Sequence, residues 1–258
     1  MCAAQYSNSK SGRATPQCDP GSVERFKNQL TSAYSSTEQH NLMNWIKEII
    51  GTKENRQVRA HDPDDLQKIL HPNVNLVYYK RTPDREIDSY IRLLMQRPFK
   101  GITTVINQQN LATVISNQLM DVGSTSLGKS RMQEDIIAMA SVFFKITGAA
   151  HLRLILKIVA DDACRKFHTD AYDLRLLCTY SGKGTEWVND RFVNRKKLFR
   201  GENKDIIRDA TKIRCMEPFE VAILKGEVPS RPNVKGIVHR SPPIELDGEK
   251  RLLLRMDF

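Results

Sequence analysis

The sequence predicts an α+β protein in which a helical N-terminal half buttresses a β-sandwich or barrel built by the C-terminal part of the chain. Three observations predict it. Apolar residues recur at three- and four-residue steps in the first half, as in Leu42, Trp45, Ile46, Ile49 and Ile50. After Gly148 the period turns to two, so that Leu152, Leu154, Leu156 and Ile158 share one pleat face. No Pro/Ser-rich linker and no internal repeat separates the halves, so residues 23–258 read as one domain. Its helical part is about 23–148 and its β part about 149–258.

Residues 1–22 are polar and Ser/Gly-rich and are expected to form a disordered tail. Helices are predicted over 23–35 and 41–50, the second stopped by Gly51. Asp62, Asp64 and Asp65 stand before Leu66, Ile69 and Leu70, as acids do at a helix start, and 74–79 is an apolar run of strand length. Further helices are expected from Pro83 to about Met95, over 111–120 and over 132–146, the last stopped by Gly148. Strands are expected at 151–159, 167–170, 172–180, 219–225, 236–240 and 251–256, separated by Gly- and Pro-rich turns. Gly182-Lys-Gly184 reads as a tight hairpin, because it lacks the third glycine and the strand-to-helix setting of a dinucleotide loop.

With 258 residues and 40% hydrophobic content, the chain has enough apolar material for a core. A net charge of +10 favours anionic partners in general. No run approaches the roughly eighteen apolar residues of a membrane helix, and no apolar segment of signal-peptide length opens the chain. The expected location is therefore cytoplasmic, with no membrane partner. Five cysteines, odd in number and without a Cys-x-x-Cys pair, argue against a disulfide framework or a structural zinc cluster.

Three polar clusters fall on predicted strands that otherwise demand apolar residues. In Phe167-His-Thr-Asp170, residues two apart share a face, so His168 and Asp170 point the same way and can grip one cation. His239 lies 71 residues downstream on a later strand. Two imidazoles and one carboxylate on one side of a metal leave the opposite positions open, as non-haem Fe(II) oxygenase sites require. Arg251 and Arg255 follow, twelve and sixteen residues beyond His239 and on a common pleat face, and a buried guanidinium needs a carboxylate or phosphate partner.

This order, His-x-Asp, a long gap, His, then Arg near the end, resembles the Fe(II)- and 2-oxoglutarate-dependent oxygenases over roughly residues 152–258. The resemblance implies a double-stranded β-helix of jelly-roll or cupin-like form, a dioxygenase that hydroxylates its substrate, and iron held by His168, Asp170 and His239. It also implies 2-oxoglutarate docked on Arg251, with Arg255 as an alternative or second anchor. Separately, Cys164-Arg-Lys-Phe-His-Thr-Asp170 and the stretch from Arg175 to Trp187 are similar to an uncharacterised bacterial domain-of-unknown-function family, which implies no activity.

Other readings stand beside this one. Tyr180 is expected either to offer its hydroxyl to a carboxylate ligand or to pack with that hydroxyl satisfied, and Trp187 to wall the pocket. Cys164 and Cys178 raise a zinc-binding, cupin-like protein without oxygenase activity. Residues 190–214 carry nine Lys or Arg against four acids. They are expected to form a helical insertion near the pocket mouth, either a solvated face or a lid for an anionic substrate, small or macromolecular, nucleic acid included.

Overall fold

The computed structural model describes residues 56–123, 126–161, 164–231 and 234–258. The expected tail and the helices over 23–35 and 41–50 lie outside them. Ten strands among the described residues form two sheets. The larger has the order β1-β2-β8-β5-β10-β4-β3 and the smaller β7-β6-β9. In chain order these are β1 (Arg56–Ala60), β2 (Val74–Tyr79), β3 (Ile102–Ile106), β4 (Leu152–Val159), β5 (Leu174–Ser181), β6 (Glu186–Val188), β7 (Arg214–Cys215), β8 (Val221–Lys225), β9 (Val238–Arg240) and β10 (Arg251–Asp257). The helices are α1 (Arg85–Leu94), α2 (Leu111–Gln118), α3 (Ser126–Thr147) and the single turn α4 (Asn203–Ile206).

The expected division into helices first and strands later gives way to interleaving. Strands β1, β2 and β3 all come from the first half and make up three of the seven strands of the larger sheet. Of these only β2 has a clear apolar run. In β1 only Ala60 is buried, and in β3 only Ile102 and Ile106, because both strands sit at sheet edges where little of the side-chain pattern is constrained. The 3-10 helix Pro63–Leu70 begins where the acids predicted a start, with the Asp62 carboxylate accepting from the Asp65 amide at 2.9 Å. Gly148 closes α3 with φ +64, and Gly182 makes the β5–β6 turn with φ +82, conformations that L side chains rarely adopt.

Strict alternation on β5 and β10 gives the larger sheet two different faces. Leu174, Leu176, Cys178 and Tyr180 of β5 and Leu252, Leu254 and Met256 of β10 pack in one cluster with Tyr90 of α1 and Phe143 and Phe144 of α3. Leu177 and Leu253 face the other way, joining Leu76 and Leu224 of the larger sheet and Trp187 of the smaller one. Arg175, Thr179, Arg251, Arg255 and Asp257 share the parity of Leu177 and Leu253, so charged groups lie on the face turned toward the smaller sheet.

Residues 167–170 do not form the expected strand. They touch the smaller sheet through one β-bridge, His168 to His239. Phe167 anchors this loop in a third apolar cluster with Val188, Leu198, Ile206 and Val238, and its amide donates to Asn203 Oδ1 at 2.8 Å. The basic segment that supplies Leu198, Asn203 and Ile206 is a series of 3-10 turns and one four-residue helix rather than a continuous helix. No helix among the described residues is long and apolar enough to cross a membrane.

Leu254 is fully buried between β10 and the helical layer. Leu254→Ala is expected to lower unfolding free energy by about 2–5 kcal/mol in denaturant titration; a loss below about 1 kcal/mol would contradict this packing.

Candidate metal centre

The bridge between residues 168 and 239 brings the two imidazoles together. His168 N donates to His239 O and His239 N to His168 O, both at 3.0 Å, which sets the residues opposite each other as a hydrogen-bonded antiparallel pair. Their ring centroids lie 4.6 Å apart. Each ring is turned by its own chain: His168 Nδ1 lies 2.8 Å from Lys166 O and His239 Nδ1 lies 3.1 Å from Ile237 O. A carbonyl only accepts, so Nδ1 carries the proton and Nε2 presents a lone pair.

Asp170 completes the group. Its Oδ2 lies 3.5 Å from His239 Nε2 and its Oδ1 4.0 Å from His168 Nε2. One ligand atom from each of the three residues falls within 4.8 Å of the other two, so these residues can hold a metal ion. Burial pushes the His239 pKa down to about 4 despite the opposing pull of Asp170, so this contact is not an ion pair at neutral pH. Asp170 is 8% exposed, and its Oδ2 is buried without a hydrogen-bond partner. An unprotonated nitrogen facing an unpartnered carboxylate oxygen is electrostatically unfavourable unless a cation lies between them. The donor set therefore fits a divalent metal.

The carboxylate is held from behind. Arg175 Nη1 donates to Asp170 Oδ1 at 2.5 Å, and its Nε donates to Asp257 Oδ1 at 2.5 Å. Arg255 Nη2 makes an ion pair with Asp257 Oδ2 at 2.9 Å. Arg175 thus occupies Oδ1 of Asp170 and leaves Oδ2 facing His239. It is a charge embedded in the apolar run Leu174–Cys178, the same signal that singled out Arg251, yet the sequence reading did not assign it this part.

Arg251 lines the same cleft as His168 and His239. It is 3% exposed, and among the described residues its Nη1 and Nη2 reach the hydroxyls of Thr185 at 3.5 Å and Ser241 at 3.2 Å. Its Nε is buried without a hydrogen-bond partner, and no carboxylate among the described residues is in ion-pair contact with it, although Asp161 lies near enough to act on its charge. Arg255 also lines the cleft but is committed to Asp257.

Two expected participants lie elsewhere. Tyr180 and Cys178 have the opposite parity to Arg175 on β5 and face the helices. The Tyr180 hydroxyl donates to Asp135 Oδ2 at 2.8 Å, within a network that also holds Arg81. The Cys178 thiol is pushed up to about 12 by burial, and its Sγ accepts from Arg81 at 3.5 Å. Tyr180 and Cys178 therefore lie outside the metal cleft, Tyr180 too far round the sheet to meet a cofactor there and Cys178 to meet a metal. Cys164 lines the cleft without belonging to the three-residue group, and Trp187 walls a different cleft.

Because Arg175 fixes the Asp170 carboxylate, Arg175→Met is expected to weaken divalent-metal binding by about 10–100-fold in anaerobic competition titration. Tyr180→Phe should bind as the unsubstituted protein does. Equal affinity for Arg175→Met and the unsubstituted protein would contradict the positioning role.

Among solved structures, the chain is similar to the dioxygenase for auxin oxidation 1 from Arabidopsis thaliana in its 2-oxoglutarate binary complex. The two are 9% identical, with 79% of this chain and 91% of that chain covered and a TM-score of 0.45. A full-length Neurospora crassa protein in complex with alpha-KG is 15% identical, with 79% and 83% covered and a TM-score of 0.39. A Pseudomonas putida prolyl-4-hydroxylase is 10% identical, with 75% and 95% covered and a TM-score of 0.36. No curated protein matches the chain. A family model matches residues 60–257, most of the chain, and the protein belongs to that family, described as protein of unknown function (DUF1826).

Proposed function

We propose that this protein is an Fe(II)- and 2-oxoglutarate-dependent dioxygenase. The observation that carries the reading is the convergence of two Nε2 lone pairs and the unpartnered Asp170 Oδ2 beside a cleft that both histidines line together with a buried arginine in no ion-pair contact with a carboxylate. In this reading the two sheets are the halves of a double-stranded β-helix.

His168, Asp170 and His239 would hold the iron, two nitrogens and one oxygen being the donor set of non-haem Fe(II) oxygenases. Bound there, iron supplies oxygen activation coupled to oxidative decarboxylation of 2-oxoglutarate and hydroxylation of a substrate C–H bond. The remaining work belongs to the chain. Arg175 keeps Asp170 aimed. Arg251 holds the distal carboxylate of 2-oxoglutarate with its guanidinium edge, and the Thr185 and Ser241 hydroxyls keep that guanidinium in place. Arg251 rather than Arg255 is the anchor, because Asp257 neutralises Arg255. Leu177 and Leu253 line the cleft and reduce water access to it.

Charge supports the assignment. Arg175 and Arg255 share the carboxylates of Asp170 and Asp257, Arg251 has no ion-pair contact among the described residues, and a divalent metal adds positive charge. An anionic cosubstrate offsets that excess; a second buried cation does not. The alternative of a zinc site completed by thiolates loses Cys178 to the helical side of the sheet.

Anaerobic addition of 2-oxoglutarate to the Fe(II)-loaded protein should produce the weak visible charge-transfer band of the chelate. Asp170→Ala should abolish the band. Arg251→Ala should still bind iron but require at least about tenfold more 2-oxoglutarate, as loss of a charge-assisted contact predicts. Tight binding of one zinc per chain, with no band from the Fe(II) form, would overturn the reading.

A further inference from the structure

A second cleft of about 310 Å³ shares no lining residue with the metal cleft, and Trp187 and Tyr78 form part of its wall. Trp187 also packs with Leu177 and Leu253, which line the metal cleft, so apolar side chains lie between the two spaces. The volume falls at the lower end of the range for small-molecule sites.

The basic segment supplies three cations to this space, Arg191, Lys212 and Arg214. Stacking on rings, not pairing with acids, orients the two arginines: Arg191 lies over Phe192 at 4.6 Å and Arg214 over Trp187 at 5.3 Å. Stacking uses the face of a guanidinium and leaves its N–H edge available to an oxyanion. The four acids of the segment are engaged elsewhere. Asp190 pairs with Arg195 at 2.5 Å and Glu202 with Lys204 at 3.2 Å. Asp205 and Asp209 accept from the backbone amides of Glu202 and Thr211. None of the three cleft cations is in ion-pair contact with a carboxylate among the described residues, although Asp209 lies near enough to Lys212 to feel its charge.

The rest of the wall is aromatic and amide. Tyr78 and Trp187 stand 5.9 Å apart at 44°. Asn189 Nδ2 donates to Gln57 Oε1 at 2.5 Å, Gln57 Nε2 to Asn75 Oδ1 at 3.0 Å, and Asn75 Nδ2 to Lys235 O at 3.2 Å, so an amide chain ties this wall together. Sequence alone places only Phe192 and Phe199 among the basic residues. The fold brings Tyr78 and Trp187 beside them.

We infer that this cleft binds the phosphate of a nucleotide, with Arg191, Lys212 and Arg214 on the phosphate oxygens and the aromatic wall beside the base. The phosphate is carried either by a free mononucleotide or by a nucleotide unit of a single strand. This inference does not rest on the iron reading.

The test uses the full chain carrying Trp45→Phe, which leaves Trp187 as the sole tryptophan of the two in the sequence, in buffer with EDTA. Trp187 emission is followed on adding adenosine 5′-monophosphate, adenosine or a short single-stranded oligothymidylate. A saturable change with the monophosphate but not with adenosine supports the free nucleotide. A saturable change with the oligothymidylate alone supports the strand, and its log affinity against log salt should then be shallower by up to about 0.7 in Arg191→Gln/Arg214→Gln, for the one phosphate that both arginines contact. In either case affinity should fall at least about tenfold in that double variant. The exposed Lys212→Glu substitution, which spares both stacked pairs, should weaken binding in the same direction. No saturable change with any probe, or equal binding by all variants, would overturn the inference.

Discussion

A carboxylate oxygen buried with no proton to accept is the constraint on which the rest of this architecture depends. Asp170 Oδ2 lies beside His239 Nε2, and burial holds the histidine neutral against the opposing pull of Asp170 and of the Ile237 carbonyl on its Nδ1. Removing such a group from water without a partner costs on the order of a few kcal/mol. The surroundings reinforce the arrangement instead of relieving it: Arg175 occupies the other oxygen, and backbone carbonyls turn both imidazoles so that their lone pairs converge. A cation between these atoms makes each feature favourable at once.

The fold concentrates charge there by dividing the work of two adjacent strands. One face of β5 and β10 packs against α1 and α3 and is apolar except for Tyr180, whose hydroxyl is satisfied by Asp135. The other carries Arg175, Arg251, Arg255 and Asp257 toward the smaller sheet. Since β10 pairs with both β4 and β5, these groups are fixed by backbone hydrogen bonds on both sides. His168 is positioned differently, by a loop whose ladder contact among the described residues is the bridge to His239 and whose stability comes from Phe167 and the basic segment. That segment serves both clefts: its Asn203 and Ile206 hold the His168 loop, and its other turns carry Arg191 and Lys212.

Much of this was legible in the residues themselves. The period-two run in β4, the long helix α3 and the order of His168, Asp170, His239 and Arg251 all follow from side-chain type and spacing. The same arithmetic separates Tyr180 from Arg175: five residues apart on one strand, they must face opposite ways, and the expectation that Tyr180 serves the site overlooked that parity. Arg175 was readable as a charge in a buried strand, but its partner Asp257 lies 82 residues away, and only the pairing of β5 with β10 brings them together. Strands β1 and β3 were not legible, because edge strands with one or two buried residues carry almost no pattern. Residues 167–170 were expected to need a strand to align His168 and Asp170. One bridge and an apolar anchor suffice.

The central claim, that the three side chains enclose a metal, is tested most directly by anomalous diffraction at the iron edge from crystals grown anaerobically with Fe(II). The account predicts one strong peak per chain, within bonding distance of His168 Nε2, His239 Nε2 and an oxygen of Asp170. Iron bound elsewhere, or a water molecule bridging His239 and Asp170 with no anomalous signal, would contradict it.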